Sequence, residues 1–311
     1  LNNLIFIASD NSPLSADAGD NFYRSILYYR LWERTTLSRI FADFNALNTH
    51  RPPLTMLLPI ALYYFLGLNP GVALMTNIIF IFILLISTYI IGKNLFNENV
   101  GIVAAIFIML YPGISAFSRV FLDDFSLTAI FCLAMALLLL TNNFSNTKYA
   151  VLLGVVAGFG LLTKFNFLIF SLGPIIYYVI ISLQEKGKRI LLNVLIAAIL
   201  CFLVSLIWYA FNAKHYFMLY FGPKHVNWEI TNLKDIIKPA NLLYYIRQMI
   251  YAQIYLFYFI IFILALFFIY YYRKNISKNL SLLFLWIIVP FVILSLSPMR
   301  AARYTLPYLP A

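Results

Sequence analysis

Two carboxylates, Asp17 and Asp20, stand three residues apart in the stretch DAGDNFYRS. His50 and Arg51 open HRPPL, and Arg119, Asp123 and Asp124 punctuate SRVFLDDFSL. Lys164 sits in LLTKFN, and Arg300, Arg303 and Tyr304 come from MRAARYTLPYLP. Together these residues offer carboxylates and several cations, the equipment for displacing an anionic leaving group. Arg and Lys neutralise a phosphate or diphosphate as its charge develops. One carboxylate takes or orients the proton of an attacking hydroxyl or amine. A single displacement requires no nucleophilic Ser or Cys, and the sequence presents no such arrangement. It has no Gly-rich phosphate loop either, which argues against a nucleotide donor.

Each residue also has a plainer reading. Asp20 could cap an amphipathic helix over 20–34, in which Tyr23, Ile26, Leu27 and Leu31 share a face; Asp17 would then sit in a loop. Pro52 and Pro53 suit the first turn of a helix over 54–67, leaving His50 and Arg51 to face water. Arg119 could pair locally with Asp123 or Asp124, a contact worth under about 1 kcal/mol at a surface. Asp124 could cap the helix that follows it. Lys164 could snorkel, and Arg300, Arg303 and Tyr304 could touch lipid headgroups. Charges kept at the edge of apolar helices are costly, however, and such residues often mark function.

The elements that must position these groups are membrane spans. The chain has 311 residues, 63% hydrophobic and 11% charged, with mean hydropathy +0.87. A soluble domain averages about 45–50% apolar and about 25% charged. The expected fold class is an all-α, multi-spanning integral membrane bundle forming a single domain over 1–311. Spans need roughly 20 apolar residues; candidates lie at about 72–91, 100–112, 126–141, 149–163, 166–183, 190–210, 249–271 and 280–297, with another opening near Tyr304. LNNLIFIA reads as the end of an earlier span, and the chain as a piece of a longer one. The net charge of +11 would suggest nucleic acid in a soluble protein. No basic stripe with stacking aromatics lies outside the spans, so no nucleic-acid partner is expected. Cys132 and Cys201 fall in apolar runs and read as core packing.

Charge sets the orientation. If 54–67 does not cross, the loops 92–99, 142–148, 184–189 and 273–279 share one side and hold Lys93, Lys148, Lys186, Lys188, Arg189, Arg273, Lys274 and Lys278. That side is expected to be cytoplasmic. The short loops opposite carry Arg119, Lys164, Arg300 and Arg303. The candidate residues, and all three histidines, then face outward.

At these residues the chain resembles the GT-C class of glycosyltransferases, in particular the dolichyl-phosphate-mannose protein mannosyltransferases and bacterial aminoarabinose transferases. The likeness follows the family's order along most of the chain. DNFYRS stands for an Asp-aromatic segment, and HRPPL is similar to H-P-P-L. Arg119, Asp124 and Leu127 match R-x4-D-x-x-L. GLLTKFN is similar to G-L-x-x-L-T-K, and ARYTLPYLP to R-Y-x-L-P-x-x-P. The ordered set is more specific than any one motif. It implies an outer loop over 8–71 carrying two membrane-parallel helices, about 20–34 and 54–67, and a second outer loop at about 211–248.

The resemblance also implies inverting transfer of a sugar from a polyprenyl-phosphate donor to a protein, lipid or glycan acceptor, on the outer face of a bacterial or archaeal plasma membrane. The partners would be that donor, membrane lipid and an acceptor of unknown identity. Carried across, Asp20 becomes the candidate base and Asp124 the second acidic residue. Lys164, Arg300 and Arg303, with Tyr304, become candidates for the donor phosphate. Arg119 would serve Asp124 or the donor, and His50 and Arg51 would form a cation pair close to Asp20. There are departures: the family often has an acidic pair at its first motif, whereas Asn21 follows Asp20 here, which makes Asp17 a rival base. HRPPL adds Arg51 before the prolines. Some relatives bind a divalent metal; His215 and His225, ten residues apart, match no standard zinc spacing, and no metal or other cofactor is assumed. The competing class is a carrier or flippase for a lipid-linked sugar or other anion. Such proteins carry charges at mid-span and often inverted repeats, and neither is visible. A non-catalytic assembly subunit is the third reading.

Overall fold

The computed structural model describes the chain except residues 1, 11, 35, 37–38, 48–49, 185–186, 222–242, 272–279 and 298–299. All regular structure among the described residues is helical. The first part is a run of short elements: α1 (Asn2–Ser9), α2 (Ala16–Arg34), α3 (Ile40–Leu47), α4 (Leu54–Leu57) and α5 (Ile60–Leu66). The bundle follows with α6 (Pro70–Leu95), α7 (Glu98–Leu110), α8 (Pro112–Phe117), α9 (Asp123–Leu140), α10 (Thr147–Thr163), α11 (Asn166–Gln184) and α12 (Lys188–Phe221). After the gap in the described residues come α13 (Tyr244–Gln248), α14 (Tyr255–Tyr271), α15 (Leu280–Ser295) and a 3₁₀ segment, Ala302–Tyr308. The protein is an integral membrane protein: α6, α9, α11 and α12 are each long and apolar enough to cross a bilayer, and α7, α10 and α15 are shorter apolar helices.

The bundle is organised around α9. Fifteen of its 18 residues are buried, so it faces protein on all sides and lipid on almost none. Two of its hydroxyls bond within the helix: Ser126 donates to the Asp123 carbonyl and Thr128 to that of Asp124. Helices α6, α10 and α11 and the 3₁₀ segment pack around it. Without a hydrophobic drive between helices in lipid, close approach depends on small residues. Gly154 and Gly158 supply it between α10 and α12. A Cβ on Gly154 would lie 2.5 Å from the Ala197 carbonyl oxygen, and one on Gly158 would lie 2.5 Å from the Val204 Cβ. The two cysteines are free thiols in this apolar packing.

Three local features differ from the sequence expectation. Helix α2 starts at Ala16, so Asp17 lies in its first turn and Asp20 is an interior residue; neither the loop reading of Asp17 nor the capping reading of Asp20 holds. Helix α12 does not stop near residue 210 but continues to Phe221. Its extension is held by α3, where Asn212 donates to Asn45 Oδ1 at 3.1 Å and Phe211 packs edge-on to Phe41. The expected outer loop 211–248 therefore begins as helix; its 222–242 part, with His225, lies outside the described residues. The span expected over 249–271 is broken. A π turn, Met249–Gln253, ends α13, and the chain then bends by 118° into α14. Tyr255, the first residue of α14, sits at that junction with φ +59°, in the left-handed region, so the chain cannot run through it as one continuous α-helix.

The 54–67 stretch is interrupted at Leu58 and Pro59, which separates α4 from α5. Thr55 bonds the Ser126 hydroxyl in the first turn of α9 at 2.9 Å. Tyr63 packs with Val72, Ala73 and Phe121. Both ends of the stretch thus sit by the start of α9. Cysteines introduced at 68–71 are expected to react with a membrane-impermeant maleimide from the same side as one at residue 50; labelling from opposite sides would show that 54–67 crosses. Gly158→Leu is expected to overpack the α10–α12 crossing and lower stability by about 1–3 kcal/mol. An unchanged melting temperature in detergent would show that the crossing opens without cost.

Candidate active site

Stretches far apart in the sequence meet at one cavity of about 410 Å³. Helix α9 brings Asp123 and Asp124 to it. Leu122, in extended conformation, precedes the helix without a side-chain cap, so both carboxylates fall in the first turn, at the positive end of the helix dipole. Lys164 lies in the short turn between α10 and α11, with extended backbone. Arg303 and Tyr304 come from the 3₁₀ segment. Gln253 fixes that segment by donating to the Ala302 carbonyl at 2.8 Å, and Trp286 does so by donating to the Pro307 carbonyl. Asp17 comes from α2, and His50 and Arg51 from the connection before α4.

The charged groups form a nearly continuous ring. Lys164 Nζ donates to Asp124 Oδ1 at 2.6 Å, and Arg303 Nε is 3.4 Å from Asp124 Oδ2, an ion pair without hydrogen-bond alignment. Arg303 Nη1 donates to Asp17 Oδ2 at 2.7 Å, and Arg51 Nη2 to Asp17 Oδ1 at 2.8 Å. Arg51 Nη1 also donates to Asn21 Oδ1 at 3.0 Å, and the Asn21 amide reaches Asp123 Oδ1 at 3.4 Å. Asp123 and Asp124 are neighbours in sequence, so the path returns to its start. Lys164 Nζ lies 5.0 Å from the centroid of the Tyr304 ring, and the Arg303 guanidinium 5.9 Å.

These contacts favour the charged forms of Asp17 and Lys164. Hydrogen bonding from Arg51 holds the Asp17 carboxyl down at about 2, against the opposing effect of burial and with help from Arg303. Because its folded pKa is depressed, the Asp17 contribution to stability is complete above about pH 4. It is lost only as pH falls through about 2. Burial works against the Lys164 ammonium, but Asp124, Tyr304 and Asp123 outweigh it and raise its pKa. His50, by contrast, is lowered by burial and then by His215, Arg24 and Arg51, with Asp20 opposing. Its Nδ1 lies 3.2 Å from His215 Nε2, which ties the end of α12 to the connection before α4.

The cavity lining thus brings together Asp17, His50, Arg51, Asp124, Lys164, Arg303 and Tyr304 from the sequence-expected set. Three others are not part of it. Asp20 is bound by Arg24 Nε at 2.9 Å, on the same helix. Arg119 donates to Asn3 Oδ1 at 3.3 Å and covers the Phe6 ring, so it pairs with neither Asp123 nor Asp124. Arg300 Nη2 reaches the Ser295 carbonyl at 3.5 Å. Sequence reasoning did not single out Asn21 or Tyr216, and it treated Asp123 only as half of an acidic pair. Nor did it find the apolar flank formed by Phe165, Ile169, Ile293 and Leu296. Among the described residues, no three His, Cys, Asp or Glu side chains converge in a way that could hold a metal ion.

With this geometry in hand, three comparisons are informative. The model of a family described as dolichyl-phosphate-mannose-protein mannosyltransferase matches residues 51–208. No curated protein matches. The fold matches the crystal structure of ArnT from Cupriavidus metallidurans in the apo state, at 14% identity and a TM-score of 0.69 over 99% of this chain and 55% of that one. It also matches ArnT from the same organism bound to undecaprenyl phosphate, at 15% identity and a TM-score of 0.70 over 99% and 56%. The chain spans little more than half the length of these structures.

The ring makes a stability prediction. Asp124 is only 4% exposed, and removing its shorter cation contact leaves a buried carboxylate with one misaligned partner. Lys164→Met is expected to cost about 3 kcal/mol, and Lys164→Met with Asp124→Asn about half that, because the second change removes the uncompensated charge. Thermal unfolding in detergent reads both; a double variant no more stable than the single one would contradict the pairing.

Proposed function

This chain belongs to the dolichyl-phosphate-mannose-protein mannosyltransferase family, and from that membership we propose that it transfers a sugar from a polyprenyl-phosphate donor to an acceptor on the extracytoplasmic face, with inversion. One observation carries the reading. Three cations from distant stretches, Arg51, Lys164 and Arg303, are held around a single cavity that has an apolar flank at one side. A lipid-linked phosphate needs that combination, since its head is anionic and its tail is a hydrocarbon.

The donor phosphate takes its place among Lys164, Arg303 and Arg51, with Tyr304 as a wall. The first isoprene units run along Phe165, Ile169, Ile293 and Leu296. Ile293 and Leu296 are partly exposed, at 36% and 53%, so the tail continues into the bilayer without crossing polar surface. An acceptor hydroxyl or amine attacks the anomeric carbon from the face opposite the phosphate, and the carbon–oxygen bond to phosphate breaks. The electron pair goes to the phosphate oxygen, where the fixed cations offset the charge that develops. They are already in place, so little reorganisation accompanies the step. The proton acceptor is drawn from the cavity carboxylates; Asp20, paired with Arg24 and outside the cavity lining, is the weaker candidate. The outward orientation rests on the Lys and Arg content of the loops at the far end of the bundle.

The test is direct. Intact protein in nanodiscs is offered a panel of radiolabelled polyprenyl-phosphate sugars, and label transfer is followed. In parallel, Arg303→Ala is expected to weaken binding of undecaprenyl phosphate about 10- to 100-fold, the loss of one charge-assisted hydrogen bond to an anion. Equal affinity in the variant, or no labelled product from any donor, would remove the basis for the assignment.

A further inference from the structure

Arg51 divides its grip between a charged and an uncharged partner. Its Nη2 donates to Asp17 Oδ1 at 2.8 Å and its Nη1 to Asn21 Oδ1 at 3.0 Å. Asp17 and Asn21 are four residues apart on α2, so they share a face, and the guanidinium lies across the turn between them. The two anchors differ in burial. The Asp17 side chain is 36% exposed, whereas Asn21 is wholly buried. The other end of the Asn21 amide fixes it there. Its Nδ2 donates to the Phe121 carbonyl at 3.2 Å and reaches Asp123 Oδ1 at 3.4 Å, where α9 begins.

An amide is an uncharged side chain that can do both at once. Its carbonyl accepts from a guanidinium while its NH₂ group donates to a carbonyl or carboxylate. A carboxylate at position 21 would lack that donor and set oxygen against oxygen at Phe121 and Asp123. It would also place a second negative charge on Arg51, beside Asp17. The fixed charges around this point are already matched: Arg51 and Arg303 meet Asp17, and Lys164 and Arg51 act on Asp123. A donor phosphate gains from Arg51 only as far as the guanidinium can leave a carboxylate for it. Asp17, partly in water, can release it. Asn21 keeps its hold meanwhile, because it is tied to Phe121 and has no charge with which to compete.

We propose that Asn21 is a positioning residue of the transfer: it holds one arm of Arg51 at the cavity without neutralising it, so that the other arm passes from Asp17 to the donor phosphate. The inference rests on the glycosyl-transfer reading and adds to it a residue outside the cavity lining, which acts on the donor only through Arg51. Asn21 makes and breaks no covalent bond. Its part is to keep the guanidinium from swinging away from the site once Asp17 has let go.

The probe is undecaprenyl phosphate, which carries the anion without a sugar, and the readout is its affinity for the intact protein in nanodiscs. Asn21→Asp keeps the shape of the side chain and adds a charge; Asn21→Ala removes the contact and adds none. A residue that served packing alone would tolerate the isosteric Asp better than Ala. The expected order is the reverse: Asn21→Asp weakens binding at least about 10-fold and Asn21→Ala about threefold. In an Arg51→Ala background both effects are expected to shrink below about twofold, because the residue acts through that guanidinium. Wild-type affinity in Asn21→Asp, or a larger loss in Asn21→Ala, would overturn the proposal. So would losses of the same size with and without Arg51. Should Asn21→Asp fail to fold, the cycle of Asn21→Ala with Arg51→Ala decides by the same criterion. Wild-type binding keeps the two readings apart: if wild type binds the probe and transfers label while the Asn21 variants are unimpaired, only this inference fails. A wild type that neither binds nor transfers removes the glycosyl-transfer reading with it.

Discussion

Burying charge inside an apolar bundle is the constraint on which the rest of this structure depends. An isolated carboxylate or ammonium at such a site is strongly disfavoured, and removing one partner of a buried pair costs several kcal/mol. Asp124 is 4% exposed and Lys164 20%, at the ends of helices whose other residues are almost all apolar. They are tolerable there because each oxygen of Asp124 meets a cation and because Arg303 continues the alternation to Asp17. The ring is therefore a mutual condition. Any member taken alone would be expelled or neutralised, whereas together they pin α2, α9, the α10–α11 turn and the 3₁₀ segment to one another. The polar site and the docking of those elements are one set of interactions.

The apolar architecture serves that convergence. Helix α9 must be surrounded by protein so that its first turn opens into a cavity and not into lipid. The glycine crossing of α10 on α12 draws the neighbouring helices close enough to do so. The end of α10 is then where Lys164 has to be. On the other side, the π turn at Met249–Gln253 and the bend after it direct Gln253 to the Ala302 carbonyl. Gly113 is part of the same fit, since a Cβ there would overlap Gln253. An uninterrupted span over these residues would carry Gln253 past the segment that presents Arg303.

Much of the bundle was legible in the sequence because long apolar runs in a chain this hydrophobic leave few alternatives. The starts and ends of α6, α9, α10, α11 and α15 fall within a few residues of the hydropathy reading. What escaped it depends on side chains meeting across distance. The α12 extension rests on Asn212 meeting Asn45, and the break before α14 on Gln253 meeting a distant carbonyl. The site divides in the same way. Asp124, Lys164 and Arg303 stand out because charge beside an apolar helix is expensive and needs a reason. Asn21 carries no charge, so nothing in its type marks it, yet it joins Arg51 to Asp123. Asp17 and Asp20 are indistinguishable by composition. The way α2 docks decides which of them faces Arg51, and that is a tertiary fact.

The charge balance of the ring also sets terms for any anion that enters it. Arg51, Lys164 and Arg303 face Asp17, Asp123 and Asp124, so the lining carries equal numbers of cations and carboxylates apart from His50. A phosphate placed about 4 Å from a carboxylate meets a repulsion on the order of 4 kcal/mol at an effective dielectric of about 20. It gains most where it can take over a cation from a carboxylate that water can receive. Asp17, with its side chain 36% exposed in the first turn of α2, meets that description, and Asp124 at 4% does not. An incoming anion therefore competes with Asp17 for Arg51 and Arg303 before it competes with Asp124 for Lys164. Because Asp17 is fixed to α2, that competition bears on a helix that no part of the anion needs to touch.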